Sequence, residues 1–114
     1  MRHTIETSSL PTDLKAFGAR NNLRPTRIEV LGPAKDVESD FWLEDGLLLS
    51  GIDLDLDGKS GPYIEIMLQS QAQKHMTHSI AAVKRVELET NQGVDDSLEI
   101  EDVAGTVTIM RFGA

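Results

Sequence analysis

The residue types closest to a ligand site lie in D-L-D-L-D-G-K-S-G-P-Y-I-E, from Asp53 to Glu65. Calcium takes six to eight oxygen ligands. The helix–loop–helix form supplies them from a twelve-residue loop, with acids at positions 1, 3 and 5, Gly at 6 and a bidentate Glu at 12. Asp53, Asp55, Asp57 and Gly58 match the first half of that loop. The second half fails: position 12 is Ile64, Glu65 comes one place late, and Ser60 stands where an apolar anchor is usual. A β-hairpin accounts for the same residues. Ile52, Leu54 and Leu56 alternate with the three aspartates, Asp57 to Gly61 supplies turn chemistry, and Tyr63-Ile64-Glu65-Ile66 returns. On an extended strand, side chains two apart are about 6.6 Å from each other, too far for three carboxylates to ligate one ion. A structural hairpin is therefore the expectation, with a divalent-cation site on Asp53, Asp55 and Asp57 as the alternative.

His75-Met76-Thr77-His78 invites a zinc reading. A helix would put both histidines on one face, whereas a strand points residues three apart to opposite sides, and no third ligand follows nearby. The zincin pattern needs a Glu directly after the first His, where Met76 stands. Ordinary hydrogen-bonding or surface histidines are expected, with His78 the one to add to the metal candidates. Other chemistry finds no foothold. No serine sits in a Gly-x-Ser-x-Gly elbow, neither phosphate-binding glycine pattern occurs, and the chain has no cysteine. No catalytic residue is assigned and no cofactor is expected.

The formal charge of −8 is unevenly spread. Residues 1 to 28 hold five basic groups against two acids, +3; residues 29 to 102 hold seventeen acids against five basic groups, −12; Arg111 adds the last positive charge. Such a surface repels phosphate over most of its area, which disfavours nucleic acid as a partner. The basic N-terminal segment is expected to be neutralised by the acidic body it folds onto. No apolar run reaches signal-peptide or membrane-spanning length, so a cytoplasmic protein with no membrane anchor is expected.

The elements that must position these residues are legible from period. Leu10, Leu14 and Phe17 fall at i, i+4 and i+7, Pro11 suits a first turn, Ser8 or Ser9 could cap, and Gly18 with Asn21-Asn22 marks an end, giving a helix over about 10–20. From Arg24 onward the period is two. Strands are expected at Arg27 to Leu31, Leu47 to Asp57 with a bend or bulge at Gly51, and Tyr63 to Leu68, with an Asp45-Gly46 turn before the second and a polar loop at Gln69 to Lys74. Val86 to Glu89, Leu98 to Glu101 and Thr106 to Phe112 make two hairpins in series, turning at Asn91-Gln92-Gly93 and near Gly105. The fold class is α+β in one domain, 1–114. A short N-terminal helix precedes a curled antiparallel sheet of about six strands in meander order over about 25–112, the kind of sheet that rolls toward a small, partly open barrel. Phe41 and Trp42 are adjacent and cannot both enter one core layer unless the sheet is covered on both sides; the alternative is a homodimer with one of them at the subunit interface.

The segments R-I-E-V-L-G-P at 27–33, L-L-L-S-G-I-D at 47–53, Y-I-E-I-M-L at 63–68 and L-E-I-E-D-V-A-G-T-V-T-I-M-R-F at 98–112 resemble, in order and spacing, a family of small bacterial proteins catalogued only as a domain of unknown function. That family often shows H-x-I-x-x-P-x-x-I before its penultimate hairpin. His78, Ile80 and Val86 match it, with Val83 at the proline position. The resemblance implies a bacterial cytoplasmic setting and the fold, and no activity, substrate or catalytic residue.

The leading expectation is a non-enzymatic protein-interaction module. If the strands alternate as read, Asp53, Asp55, Asp57, Glu65, Glu87, Glu89, Glu99 and Glu101 share the outward faces, as a solubilising surface or as a docking face for a basic partner. A divalent-metal module, and a small-molecule-binding or catalytic domain with a pocket under the N-terminal helix, are the alternatives.

Overall fold

Leu10, Leu14 and Phe17 form the buried stripe of α1 (Leu10–Arg20), the helix expected from their spacing. The chain enters it through a 3₁₀ turn at Thr7–Ser9, and Ser9 makes no side-chain capping bond, so the expected serine cap is replaced by tightening of the first turn. Gly18 is inside the helix rather than at its end. A methyl group there would stand 3.0 Å from Ile52 Cγ2, so the glycine lets the helix lie close on the sheet. The helix ends at Asn21, whose backbone N–H and side-chain Nδ2 both donate to Phe17 O.

The computed structural model describes residues 1–32, 43–57, 61–70 and 74–112, with backbone alone over 43–46. Eight strands follow or precede the helix: β1 (Arg2–Thr4), β2 (Pro25–Leu31), β3 (Leu43–Asp55), β4 (Tyr63–Gln69), β5 (His75–Ile80), β6 (Val83–Asn91), β7 (Val94–Asp102) and β8 (Val107–Phe112). They make one antiparallel sheet in the order β1-β6-β7-β8-β2-β3-β4-β5. The sheet consists of two meanders, β2 to β5 and β6 to β8, joined where β8 pairs with β2. The count of about six strands is thus corrected to eight, and the two additional strands, β1 and β5, are its two edges.

Asp45-Gly46 does not turn the chain. It lies within β3, which advances from Leu43 to Leu47 while its partner β2 advances only from Ile28 to Thr26. The dipeptide that usually marks a hairpin here takes up extra strand residues as a bulge. A second irregularity between Leu49 and Gly51 meets the expected bend, and a Cβ at Gly51 would stand 3.0 Å from Met67 Cε, so a larger residue there would require the tip of that side chain to shift. Gln92 and Gly93, both at positive φ, make the tight β6–β7 turn.

The connection from β5 to β6 dictates the overall shape. These strands stand far apart in the sheet order, yet only Ala81 and Ala82 separate them in sequence. A flat sheet could not accommodate that step, so the sheet curls until its ends approach. Ala82 turns the corner at φ 52°, Val83 N–H donates to Pro62 O at 2.9 Å, and Val103 N–H donates to Ala82 O at 3.0 Å. The sheet is not closed: no ladder joins β1 to β5 among the described residues. Its concave face and the helix stripe enclose one core that includes Phe17, Ile28, Leu49, Ile66, Leu98, Ile100 and Met110. Among the described residues, no helix is long and apolar enough to cross a membrane.

Candidate functional site

The D-L-D-L-D stretch is the end of β3. Ile52 and Leu54 pack against the core, while Leu56 lies past the strand and is exposed, so the apolar alternation stops one residue pair earlier than expected. Asp53 and Asp55 project from the convex face, and Asp53 stands directly opposite Glu65 of β4. Asp57 follows the strand and donates its backbone N–H to Asp55 Oδ1 at 2.9 Å, a local turn bond. No cation pairs with these four acids among the described residues. Of the expected turn, Gly58, Lys59 and Ser60 lie outside the described residues, as do Phe41 and Trp42.

His78 is placed on the other side of the sheet. Its register partner is Ile66, on the core-facing row, and burial lowers its imidazole below the usual value. His75 points outward and is exposed. The structure therefore keeps Asp53 and Asp55 on one face and His78 on the opposite one. Among the described residues no three His, Asp or Glu groups come together as a metal cluster.

The second acidic region, β6–β7, has a different electrostatic arrangement. Glu87 faces Glu99 across the ladder, and Arg85 faces Glu101. Arg2 of β1 reaches over both of the first pair, donating to Glu87 and Glu99. Arg85 donates to Glu87 and, at 2.6 and 2.9 Å, to Glu101 Oε1. The N-terminal amine lies 3.6 Å from Glu89 Oε1. The basic N-terminal segment is thus folded onto acids, as its charge implied.

A third constellation was not visible in the sequence. Asp95 is 7 % exposed and accepts from Arg20 Nε at 2.9 Å, Arg20 Nη2 at 3.3 Å and Asn21 Nδ2 at 2.7 Å. Arg24 donates to Asn21 Oδ1 at 2.8 Å and to the Asp95 carbonyl at 2.9 Å, and its guanidinium lies 4.2 Å from the centre of the Phe112 ring. Burial pushes the Asp95 carboxyl up, but the bonds from Arg20 and Asn21 and the charges of Arg20 and Arg24 outweigh it, so it titrates below the usual range. This network ties the C-terminal end of α1 to β7. The ladder skips a residue between Ser97 and Asp95, and this turns Asp95 inward.

Beside the network, a cleft of about 330 Å³ flanks α1, lined by His3, Asp13, Arg20, Leu88, Thr90 and Asp95. Two of its polar groups, Arg20 and Asp95, are committed to each other.

The last feature is an edge. β5 pairs with β4 alone, and among the described residues nothing pairs with its outer side. Among the described strands it is also the only one with no Asp, Glu, Lys or Arg. Comparison with known proteins finds no family model, no curated protein and no solved structure that matches this chain.

Proposed function

We propose that this protein is a cytoplasmic protein-interaction module whose β3–β4 hairpin receives a basic partner. The supporting observation is the Asp53–Glu65 pair. Like charges directly opposite one another cost roughly 0.2–1 kcal/mol, and here no cation among the described residues relieves them, whereas the equivalent Glu87–Glu99 pair is bridged by Arg2. Asp55 and Asp57 extend the same negative patch toward the turn. A partner presenting Lys or Arg would relieve the repulsion on binding and be steered to the hairpin by its field. Arg suits this role best, since its planar fork can bridge two carboxylates as Arg2 does within the chain.

A short lysine- and arginine-rich peptide, titrated into labelled protein and followed by amide NMR, tests the reading. The expected result is saturable shifts on residues 50–57 and 61–67, weakened by salt and lost in the Asp53→Asn, Glu65→Gln double variant. Shifts spread evenly over Glu87, Glu99 and the hairpin, unchanged in that variant, would refute it.

A further inference from the structure

The cleft beside the Asp95 network is a separate surface from the acidic hairpin, and none of its lining residues belongs to β3 or β4. Its walls come from β1, α1, β6 and β7, and buried Ile5 and Leu88 give it an apolar floor.

Arg20 is its fixed point. Nε and Nη2 fork onto the two carboxylate oxygens of Asp95, and that pairing occupies one edge of the guanidinium only. The other edge, Nη1 with the second hydrogen of Nη2, donates to nothing among the described residues, and about half of the side chain is open to solvent. A guanidinium held along one edge by a buried carboxylate is pre-organised to take a second carboxylate along the other, because the planar forks match and little side-chain freedom is left to lose. The charge balance agrees. Arg20 and Arg24 set two positive charges around the single one of Asp95, a local surplus of cation in a chain of formal charge −8.

The complementary charge stands on the same helix. Asp13 is exposed, lines the cleft and has no ion pair among the described residues. It precedes Arg20 by two helical turns, about 10.5 Å along the axis, so the two charges frame the cleft from one helix face without pairing. Thr90 adds a neutral acceptor: its hydroxyl donates to Met1 O at 3.3 Å, which leaves the oxygen lone pairs for a ligand.

We propose that this cleft binds a free aliphatic amino acid, with its carboxylate on the open edge of Arg20, its ammonium between Asp13 and Thr90, and its side chain on Ile5 and Leu88. The volume of about 330 Å³ is at the low end for small-molecule sites, which run from about 300 to 1,000 Å³, and suits a ligand of this size better than a nucleotide. A phosphate ester would also set its charge against Asp13, and a simple amine would meet Arg20.

Both charges match the helix dipole as well, Asp13 in the first turn and Arg20 in the last, so the test must read binding and not stability. The standard amino acids, titrated singly into labelled protein and followed by amide NMR, provide it. Leucine, isoleucine or valine should give saturable shifts confined to residues 3–5, 13–20 and 88–95. For leucine, isocaproate lacks the amine and isoamylamine lacks the carboxylate, and each should bind at least about tenfold more weakly, the loss of one hydrogen-bonded charge. Asp13→Asn should weaken leucine by about tenfold and leave isocaproate unchanged, a pattern that an Asp13 serving only the helix would not produce. No saturable shift at these residues with any amino acid would overturn the proposal. So would isocaproate binding as tightly as leucine, which would mark a site for carboxylates alone. Should Asp13→Asn not fold, the comparison of leucine with its two analogues on the unmodified protein decides the matter.

Discussion

Two cross-strand pairs of acids, Glu87–Glu99 on β6–β7 and Asp53–Glu65 on β3–β4, occupy equivalent positions on the convex face and have opposite surroundings. The first is spanned by Arg2 and braced by Arg85; the second has no cation among the described residues. Both strands show the same alternation of apolar and acidic residues, so local pattern cannot distinguish them. What distinguishes them is topology. The sheet returns β1 to the edge of β6, which brings Arg2 across 85 positions of sequence to Glu87. Of these two pairs, the one that Arg2 reaches is tied into the fold, and the one it does not reach has no cation partner among the described residues.

The largest effect expected lies at the most deeply paired acid. Asp95→Ala removes the acceptor of three hydrogen bonds and leaves buried Asn21 and half-exposed Arg20 without it. Breaking a buried charged network costs about 3–5 kcal/mol, and the exposure of Arg20 brings the expectation to about 2–3 kcal/mol in a denaturant titration. The pH dependence follows with its sign. Asp95 is held below its ordinary value, so its contribution is complete above about pH 4 and is lost as the pH falls through the folded-state value. His78 is also lowered, and a histidine kept neutral by burial contributes stability above the ordinary value of about 6.5 that is lost on acidification. Wild type should lose stability in two stages, the first beginning near pH 6.5 and the second below pH 4. Asp95→Ala should retain the first and show a smaller second, since the carboxylates paired with Arg2 and Arg85 still lose their partners on protonation. A variant with an unchanged acid limb would show that the network does not hold the helix.

Arg2→Ala converts the paired region into a copy of the unpaired one. With Arg2 about half exposed, the loss should be modest, about 0.5–1 kcal/mol, and should shrink as salt screens the Glu87–Glu99 repulsion. Thermal unfolding at low and high ionic strength measures both. A loss independent of salt would mean that Arg2 acts through packing of its stem instead of charge.

The helix was legible to the residue, because the stripe Leu10, Leu14, Phe17 meets the core along its whole length. The strands that bury one face were legible in place but not in extent: β4 runs one residue beyond the expected Tyr63 to Leu68, and β6 and β7 extend on both sides of the expected Val86 to Glu89 and Leu98 to Glu101. The edges were not. β1 and β5 pair on one side only and bury little, so R-H-T and H-M-T-H-S-I carry almost no alternation to read. Ladder irregularities hid the rest. Asp45-Gly46 has the composition of a turn and is absorbed into β3, and Asp95 reads as one of two adjacent surface acids until the slip beside it turns it inward. The acids of the proposed site were visible from the start. That no cation pairs with them among the described residues could not be known until the sheet order showed which strands Arg2 and Arg85 reach.

Glu65→Gln should produce the smallest change, with the opposite sign to the other two. It removes one member of the Asp53–Glu65 pair at a half-exposed position, keeps side-chain volume, and breaks no hydrogen bond or ion pair among the described residues. Relief of the repulsion should raise stability by about 0.2–0.5 kcal/mol, at the low end of cross-strand charge effects because water screens the site. Glu99→Gln is its counterpart on β7 and should lower stability, since it takes a carboxylate from Arg2. Measured side by side at low salt, the two variants make the sign of the change the readout, whatever its size. Equal signs would show that the two acidic regions are electrostatically alike and would remove the basis for assigning the hairpin to a basic partner. Opposite signs would show that the chain keeps an unrelieved charge pair at the acidic region that Arg2 and Arg85 do not cover.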